Sequence, residues 1–176
     1  MVRRANGVLA VAALLALLGG CALAPNQPND EQNGGQTMTP LEAKEELYSL
    51  VDIVKQYHEG DWEISPSGAL PCVTDNGEAG AQYLYLITTD GLEDDAQGTL
   101  LDAMSVAWAE AGFEPTRSVR PAVNGIVVTD LSYPNQGSGP GEQGLVLQLS
   151  VGPNAVTSGG QSRCVPGDTA ELNDAD

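Results

Sequence analysis

Gln82-Tyr83-Leu84-Tyr85-Leu86-Ile87-Thr88 joins aromatic, aliphatic and β-branched side chains with no glycine or proline inside, and reads as the main strand of the chain. Immediately downstream the period changes. Between Glu93 and Ala111, Leu100, Leu101, Met104, Ala107 and Trp108 recur at helical spacing. Glu93, Asp94 and Asp95 crowd the first turn, where the helix dipole favours acids, and Gly112 supplies a C-terminal stop.

Upstream, Thr39-Pro40-Leu41-Glu42 has the layout of a helix start: a capping threonine, a proline at the first helical position and a glutamate that completes a capping box. Leu47, Leu50, Val51, Val54 and Tyr57 continue it as one apolar stripe, ended by Gly60. Asp61 to Ser65 reads as a short strand stopped by Pro66 and Gly68. After the second helix, Phe113–Val119 reads as an irregular strand, and Gly125–Ser132 and Gly144–Val151 as better ones. A Pro- and Gly-rich loop, Tyr133–Gln143, joins the last two, and Val-Leu-Gln-Leu-Ser-Val alternates as a half-buried antiparallel strand does. Helices segregated from sequential strands predict an α+β domain over residues 39–167, with two helices packed on one face of a four- to five-stranded antiparallel sheet.

The first residues follow another logic. Arg3 and Arg4 give a basic start, Val8–Leu18 is an uncharged apolar run, and Leu18-Gly19-Gly20-Cys21 places small residues before a cysteine. This is the order of a removable export signal, and the run is shorter than the ~20 residues a bilayer span needs. Leu18-Gly19-Gly20-Cys21 resembles the lipobox of bacterial lipoproteins. The resemblance implies a signal peptide over residues 1–20, a cut before Cys21 and acylation of the Cys21 thiol by diacylglycerol, with palmitate-type chains holding the protein to the cell membrane at its extracytoplasmic face. One chain binds marginally and two bind stably. Ala5-Asn6-Gly7 lacks the bulky apolar pair of a twin-arginine signal, which points to general secretion. Residues 21–38 are rich in Pro, Asn, Gln and Gly and read as a flexible tether reaching about 20–25 Å. Asp168–Asp176 reads as a disordered acidic tail.

Removing residues 1–20 leaves 156 residues, with Lys44, Lys55, Arg117, Arg120 and Arg163 against 24 acidic residues, a net charge of −19. That balance excludes nucleic acid, whose binding rests on Lys and Arg at phosphates. It also repels anionic headgroups, so membrane contact is expected through the lipid anchor alone. With Cys21 assigned to lipid, Cys72 and Cys164 are left as a pair in an oxidising compartment. Two free thiols or a metal site are the alternatives. Neither cysteine has a CxxC neighbour or a nearby histidine, so one disulfide is expected, pinning the C-terminal extension to the sheet edge. The whole layout is also similar to small extracytoplasmic lipoproteins of high-GC Gram-positive bacteria, including the mycobacterial LppA-type families. The shared features are the lipobox, a helix before Trp62, Cys72 soon afterwards and the late Cys164. The similarity implies location and fold, and brings no activity with it.

Chemistry is sparse. His58 is the only histidine and no serine sits in a GxSxG elbow. Asp94 and Asp95 are adjacent and so diverge on a helix, unlike a glycosidase pair. Thr89–Asp95 lacks the alternating oxygens and closing glutamate of a calcium loop. Gly137-Ser138-Gly139-Pro140-Gly141 has no lysine to hold phosphate. Trp62, Trp108, Tyr83, Tyr85 and Tyr133 fit a core better than a ligand groove. No catalytic residue, cofactor or metal ligand is assigned. The expectation is a non-enzymatic, membrane-anchored lipoprotein that binds another envelope component or protein. The alternative is a small-molecule or lipid-binding carrier with its ligand between the helices and the sheet.

Overall fold

A computed structural model describes residues 38–135, 141 and 144–174. The signal, Cys21, nearly all of the tether and most of the glycine-rich loop lie outside the described residues. Over the described residues the chain is α+β, with three α-helices, a six-stranded and a three-stranded antiparallel sheet, and one disulfide. Helix α1 (Pro40–Asp52) opens with the expected capping box, in which the Thr39 backbone N–H donates to Glu42 at 2.7 Å and the Glu42 N–H to Thr39 Oγ1. A 3-10 turn, Ile53–Gln56, follows. Strands β1 (Glu63–Pro66), β2 (Leu70–Val73), β3 (Ala79–Gln82) and β4 (Leu84–Asp90) come next, then α2 (Asp94–Glu110). Strands β5 (Thr116–Val119), β6 (Thr129–Tyr133), β7 (Val146–Val151), β8 (Ala155–Gln161) and β9 (Val165–Pro166) follow, and α3 (Thr169–Asp174) closes the chain.

The large sheet runs β1-β4-β8-β7-β6-β5 and the small one β2-β3-β9. The sequence predicts four or five strands and two helices, and the structure adds β2, β3, β8, β9 and α3. The reasons are local. Strand β8 is Ala-Val-Thr-Ser-Gly-Gly-Gln, weak in strand formers, yet it is paired on both sides. A Cβ at Gly160 would lie 2.2 Å from the Val146 carbonyl oxygen and 3.0 Å from Leu47 Cδ1, so only glycine lets β7 and α1 close over it. The segment expected as a disordered tail is helical over Thr169–Asp174. Asn173 fixes it there by accepting from the Ala69 N–H at 2.7 Å and donating to the Ala69 carbonyl at 3.0 Å.

The strand read as Gln82–Thr88 is two strands with a break at Tyr83. There the ladder is replaced by Ser162, whose Oγ accepts the Tyr83 N–H at 2.9 Å while its own N–H donates to the Tyr83 carbonyl at 2.8 Å. Both chain stretches turn this corner together, passing from the large sheet into the small one.

Alternation decides the layers. Tyr85, Ile87, Leu131, Leu147, Leu149, Val151 and Val156 face the helices and form one core with Leu47, Leu50, Val51, Val54, Leu100, Leu101, Met104 and Trp108. Trp108 is fully buried and its indole N–H donates to the Leu50 carbonyl at 3.0 Å, tying α2 to α1. Tyr57, placed on the buried stripe by spacing, is exposed because the 3-10 turn changes the helical phase before it.

Candidate functional site

The bridge between Cys72 and Cys164 is present, with Cα atoms 6.0 Å apart. It does not lie in a loop. Cys72 stands in β2 opposite Gly80 of β3, and Cys164 precedes β9, so the bridge spans β3 at the one residue without a side chain. A Cβ on Gly80 would meet Cys164 Sγ at 3.0 Å and the Val165 carbonyl oxygen at 2.7 Å. The pair is therefore a staple of the small sheet rather than of the large sheet's edge.

The residues weighed for chemistry are scattered. His58 lies just past the 3-10 turn, edge-on to Trp62 with ring centroids 5.8 Å apart. Asp94 and Asp95 occupy the first turn of α2. Gln97 ties that turn back by donating to the Leu92 carbonyl at 2.7 Å. Among the described residues no three His, Cys, Asp or Glu side chains gather as they would around a metal ion. Tyr83, Tyr85 and Trp108 are buried in the core. Tyr85 stacks on Tyr48 at 3.9 Å and donates its hydroxyl to Asp52 at 3.1 Å. Burial first, and the Asp52 carboxylate second, push the Tyr85 phenol up to about 12. The space between helices and sheet, where the alternative reading as a carrier puts a ligand, is lined by these core side chains.

Two surface features remain, and they share a base. On the sheet face away from the helices, Asp130 is fully buried beneath Arg120. The guanidinium donates from Nε to Asp130 Oδ2 at 2.6 Å, and from Nη2 to Oδ1 at 2.7 Å and to Ser150 Oγ at 2.8 Å. Ser150 Oγ donates in turn to Asp130 at 2.7 Å. The hydrogen bonds to Asp130 raise the Arg120 pKa further above its already high ordinary value. The guanidinium stays charged and pinned. Beside it a shallow groove of about 370 Å³ runs over Leu86, Val146, Gln148, Thr157 and Gly159.

Arg120 also begins a hairpin. Its N–H donates to the Val128 carbonyl at 2.9 Å, and Val123 and Ile126 exchange backbone bonds of 3.1 and 3.0 Å. Asn124 (φ 53°) and Gly125 (φ 80°) form its tip, the positive pair that a tight two-residue hairpin turn requires. The hairpin turns its apolar residues to solvent: Val119 is 64% exposed, Val123 67%, Ile126 37% and Val127 47%. Between this hairpin and the first half of α2 lies a second groove of about 590 Å³, lined by Asp94, Gly98, Leu101, Arg117, Val119 and Val127 among others. Arg117 is neutralised by Asp102 at 2.6 Å. The sequence expectation of a strand over Gly125–Ser132 is corrected here: β6 begins only at Thr129, and Gly125–Val128 belong to the hairpin, which the Asn-Gly pair between valines and isoleucine signals.

Comparison with protein-family models and with curated proteins finds no match. Among solved structures the chain is similar to a DUF4853 family protein from Actinomyces odontolyticus ATCC 17982, at 12% identity and a TM-score of 0.49 over 77% of this chain and 72% of that one. A likeness of that size carries no argument about function.

Proposed function

We propose that this chain is a lipid-anchored, non-enzymatic binding module of the cell envelope, held through Cys21 at the extracytoplasmic face and presenting the hairpin Arg120–Val128 to a protein partner. The observation that carries the reading is the run of exposed apolar side chains from Val119 to Val127. A soluble surface with this much acid has no solvation reason to concentrate aliphatic residues on one protrusion. From Pro115 to Thr129 there is no acidic residue, in a chain that has 24 of them.

Placement supports it. The described chain enters at Met38–Pro40, and a Cβ on Gly167, next to β9, would lie 2.8 Å from Pro40 Cγ. The hairpin connects the Val119 and Thr129 ends of β5 and β6, level with Val151 and Asp90 at the other end of the large sheet.

The test is photo-crosslinking in intact cells from a reactive residue at Ile126 of the full-length chain. One discrete adduct that disappears with Val123→Asp is expected; no adduct above background at any hairpin position overturns the reading. Cys21→Ser is expected to release the protein from membranes or leave its precursor uncut. Normal processing with an unchanged membrane fraction removes the anchor. The groove beside Arg120 supports a second reading, a site for a small ligand with a polar end at Gln148 and Ser150 and an aliphatic part on Leu86 and Val146.

A further inference from the structure

Each sheet presents two outer strands, and the ladders fix which backbone groups face outward. In an antiparallel pair, alternate residues bond the neighbour and the rest point away. On β1, the Ser67 N–H bonds the Leu84 carbonyl at 2.9 Å, so Ser65 and Glu63 also face β4, and Ile64 and Pro66 face out. On β2, the Thr74 N–H bonds the Glu78 carbonyl at 3.0 Å, which leaves Pro71 and Val73 facing out. On β9, Val165 pairs with Ala81, the β3 residue turned away from β2, so Pro166 faces out. Three of the four edges thus carry a proline where an outward N–H would stand, which blocks pairing with another strand.

The fourth edge is different. On β5, the Arg120 N–H bonds Val128, so Thr116 and Ser118 bond β6, and Arg117 and Val119 direct their N–H and C=O groups outward. Neither is a proline, and no described backbone group pairs with them. This edge also borders the groove against α2, through the side chains of Arg117 and Val119. Prolines at 115 and 121 limit the open stretch to about five residues.

From this we infer that β5 is a docking edge for strand addition. Its occupant is an extended segment of a partner protein, four to six residues long, with alternate aliphatic residues and a lysine or arginine. The inference rests on the proposed role as a partner-binding module and names how the partner is held. Added as a seventh strand, such a segment bonds Arg117 and Val119 through its backbone. Every second side chain falls into the groove over Leu101, Val119 and Val127. The basic residue is selected by charge. Asp94 lines the groove, Asp90, Glu93 and Asp95 lie near it in sequence, and Arg117 is already cancelled by Asp102. A second copy of this chain, at a net charge of −17 for the full sequence, is repelled from the same edge.

The experiment uses the full chain carrying Cys21→Ser and four synthetic hexapeptides. The parent places two valines and one lysine at alternate positions, on one face; two are the same peptide N-methylated on the amides of one edge or of the other; and the fourth is a scramble. Amide NMR shifts and hydrogen exchange are the readouts. The parent peptide is expected to shift and protect Arg117 and Val119. N-methylation of the pairing edge weakens it at least about tenfold, since two backbone bonds are lost. Val119→Pro abolishes the effect while the far-UV spectrum stays unchanged. Should that variant misfold, the N-methylated peptides decide alone, because they leave the protein untouched.

Equal binding by all N-methylated forms, no binding at millimolar peptide, or perturbation mapped to β1, β2 or β9 overturns the inference. So does a dimer in sedimentation that Val119→Pro dissolves, which would make the occupant a second copy. If the in-cell adduct at Ile126 survives Val119→Pro, the binding role stands and strand addition falls. If no adduct forms with either chain, the role itself falls.

Discussion

Removing the staple is the sharpest test of how the small sheet is held. In Cys72→Ala/Cys164→Ala the loop closed by the bridge, 92 residues in sequence separation, is opened in the unfolded state. The chain-entropy relation gives about 4.6 kcal/mol of lost stability for a loop of that size. For a domain of this length the urea dependence is about 1.5–2 kcal/mol per molar, so the midpoint should fall by roughly 2–3 M with little change in slope. The small sheet contributes few buried apolar side chains of its own, chiefly Ala81 and Val165, with Ala69 just before β2. It cannot replace the bridge by packing. The assay is urea unfolding followed by Trp fluorescence, with hydrogen exchange resolving Cys72–Gln82 from the large sheet. A midpoint shift under roughly 0.5 M would refute the reasoning, and so would fast exchange appearing first in β7 and β8.

Three smaller perturbations follow from single contacts. Gly160→Ala forces a methyl against the Val146 carbonyl in the middle of the sheet, and should cost about 1–3 kcal/mol or more in urea unfolding; a neutral result would show that β7 yields freely. Tyr85 holds its proton up to about pH 12 when folded and to about 10 when unfolded, so its contribution is complete below pH 10 and is lost as pH climbs toward 12. Two units correspond to about 2–3 kcal/mol, and Tyr85→Phe should flatten the decline in stability over that window; an unchanged slope removes Tyr85 as its source. Arg120→Met strips the half-exposed cation from buried Asp130, with a cost of about 1–3 kcal/mol after allowance for water reaching the carboxylate. Hydrogen exchange at Val123 and Ile126 should accelerate in this variant before the sheet responds, and uniform acceleration would show that Arg120 does not anchor the hairpin.

The helices were legible because their information is local. Thr39, Pro40 and Glu42 state the start of α1 within four residues, and the spacing from Leu100 to Trp108 states the buried face of α2. The strands that were missed carry their information elsewhere. Gly159 and Gly160 look like a break, and become strand residues only because β4, β7 and α1 crowd them. Ala79-Gly80-Ala81-Gln82 has little strand propensity and is held by the Asp75-Asn76-Gly77 turn and by the bridge crossing Gly80. Thr169–Asp174 reads as a polar tail because nothing in it announces that Asn173 will clasp the backbone of Ala69, 104 residues earlier. The pairing of Cys72 with Cys164 was available from counting alone, whereas the sheet that it serves was not.

Prolines show most clearly why the candidate site stayed hidden. In the sequence Pro66, Pro71 and Pro166 are punctuation, each marking a stop or a turn. Their second meaning depends on parity: a proline at an outward position disarms an edge, and one residue away it would break a ladder instead. Parity needs the partner strand and the register, and β2, β3 and β9 were all unseen. Once the ladders are placed, the absence of proline within Thr116–Arg120 becomes a signal. The apolar hairpin follows the same logic. Val119, Val123, Ile126 and Val127 fit a buried strand when read along the chain, and Asp130 looks like one more surface acid. Folding reverses both: the acid goes beneath the sheet's Arg120 clamp while the aliphatic residues stay outside. A sequence that buries a charge to hold a hairpin, and then leaves that hairpin's hydrophobic side chains in water, has ordered a surface that its own core does not use.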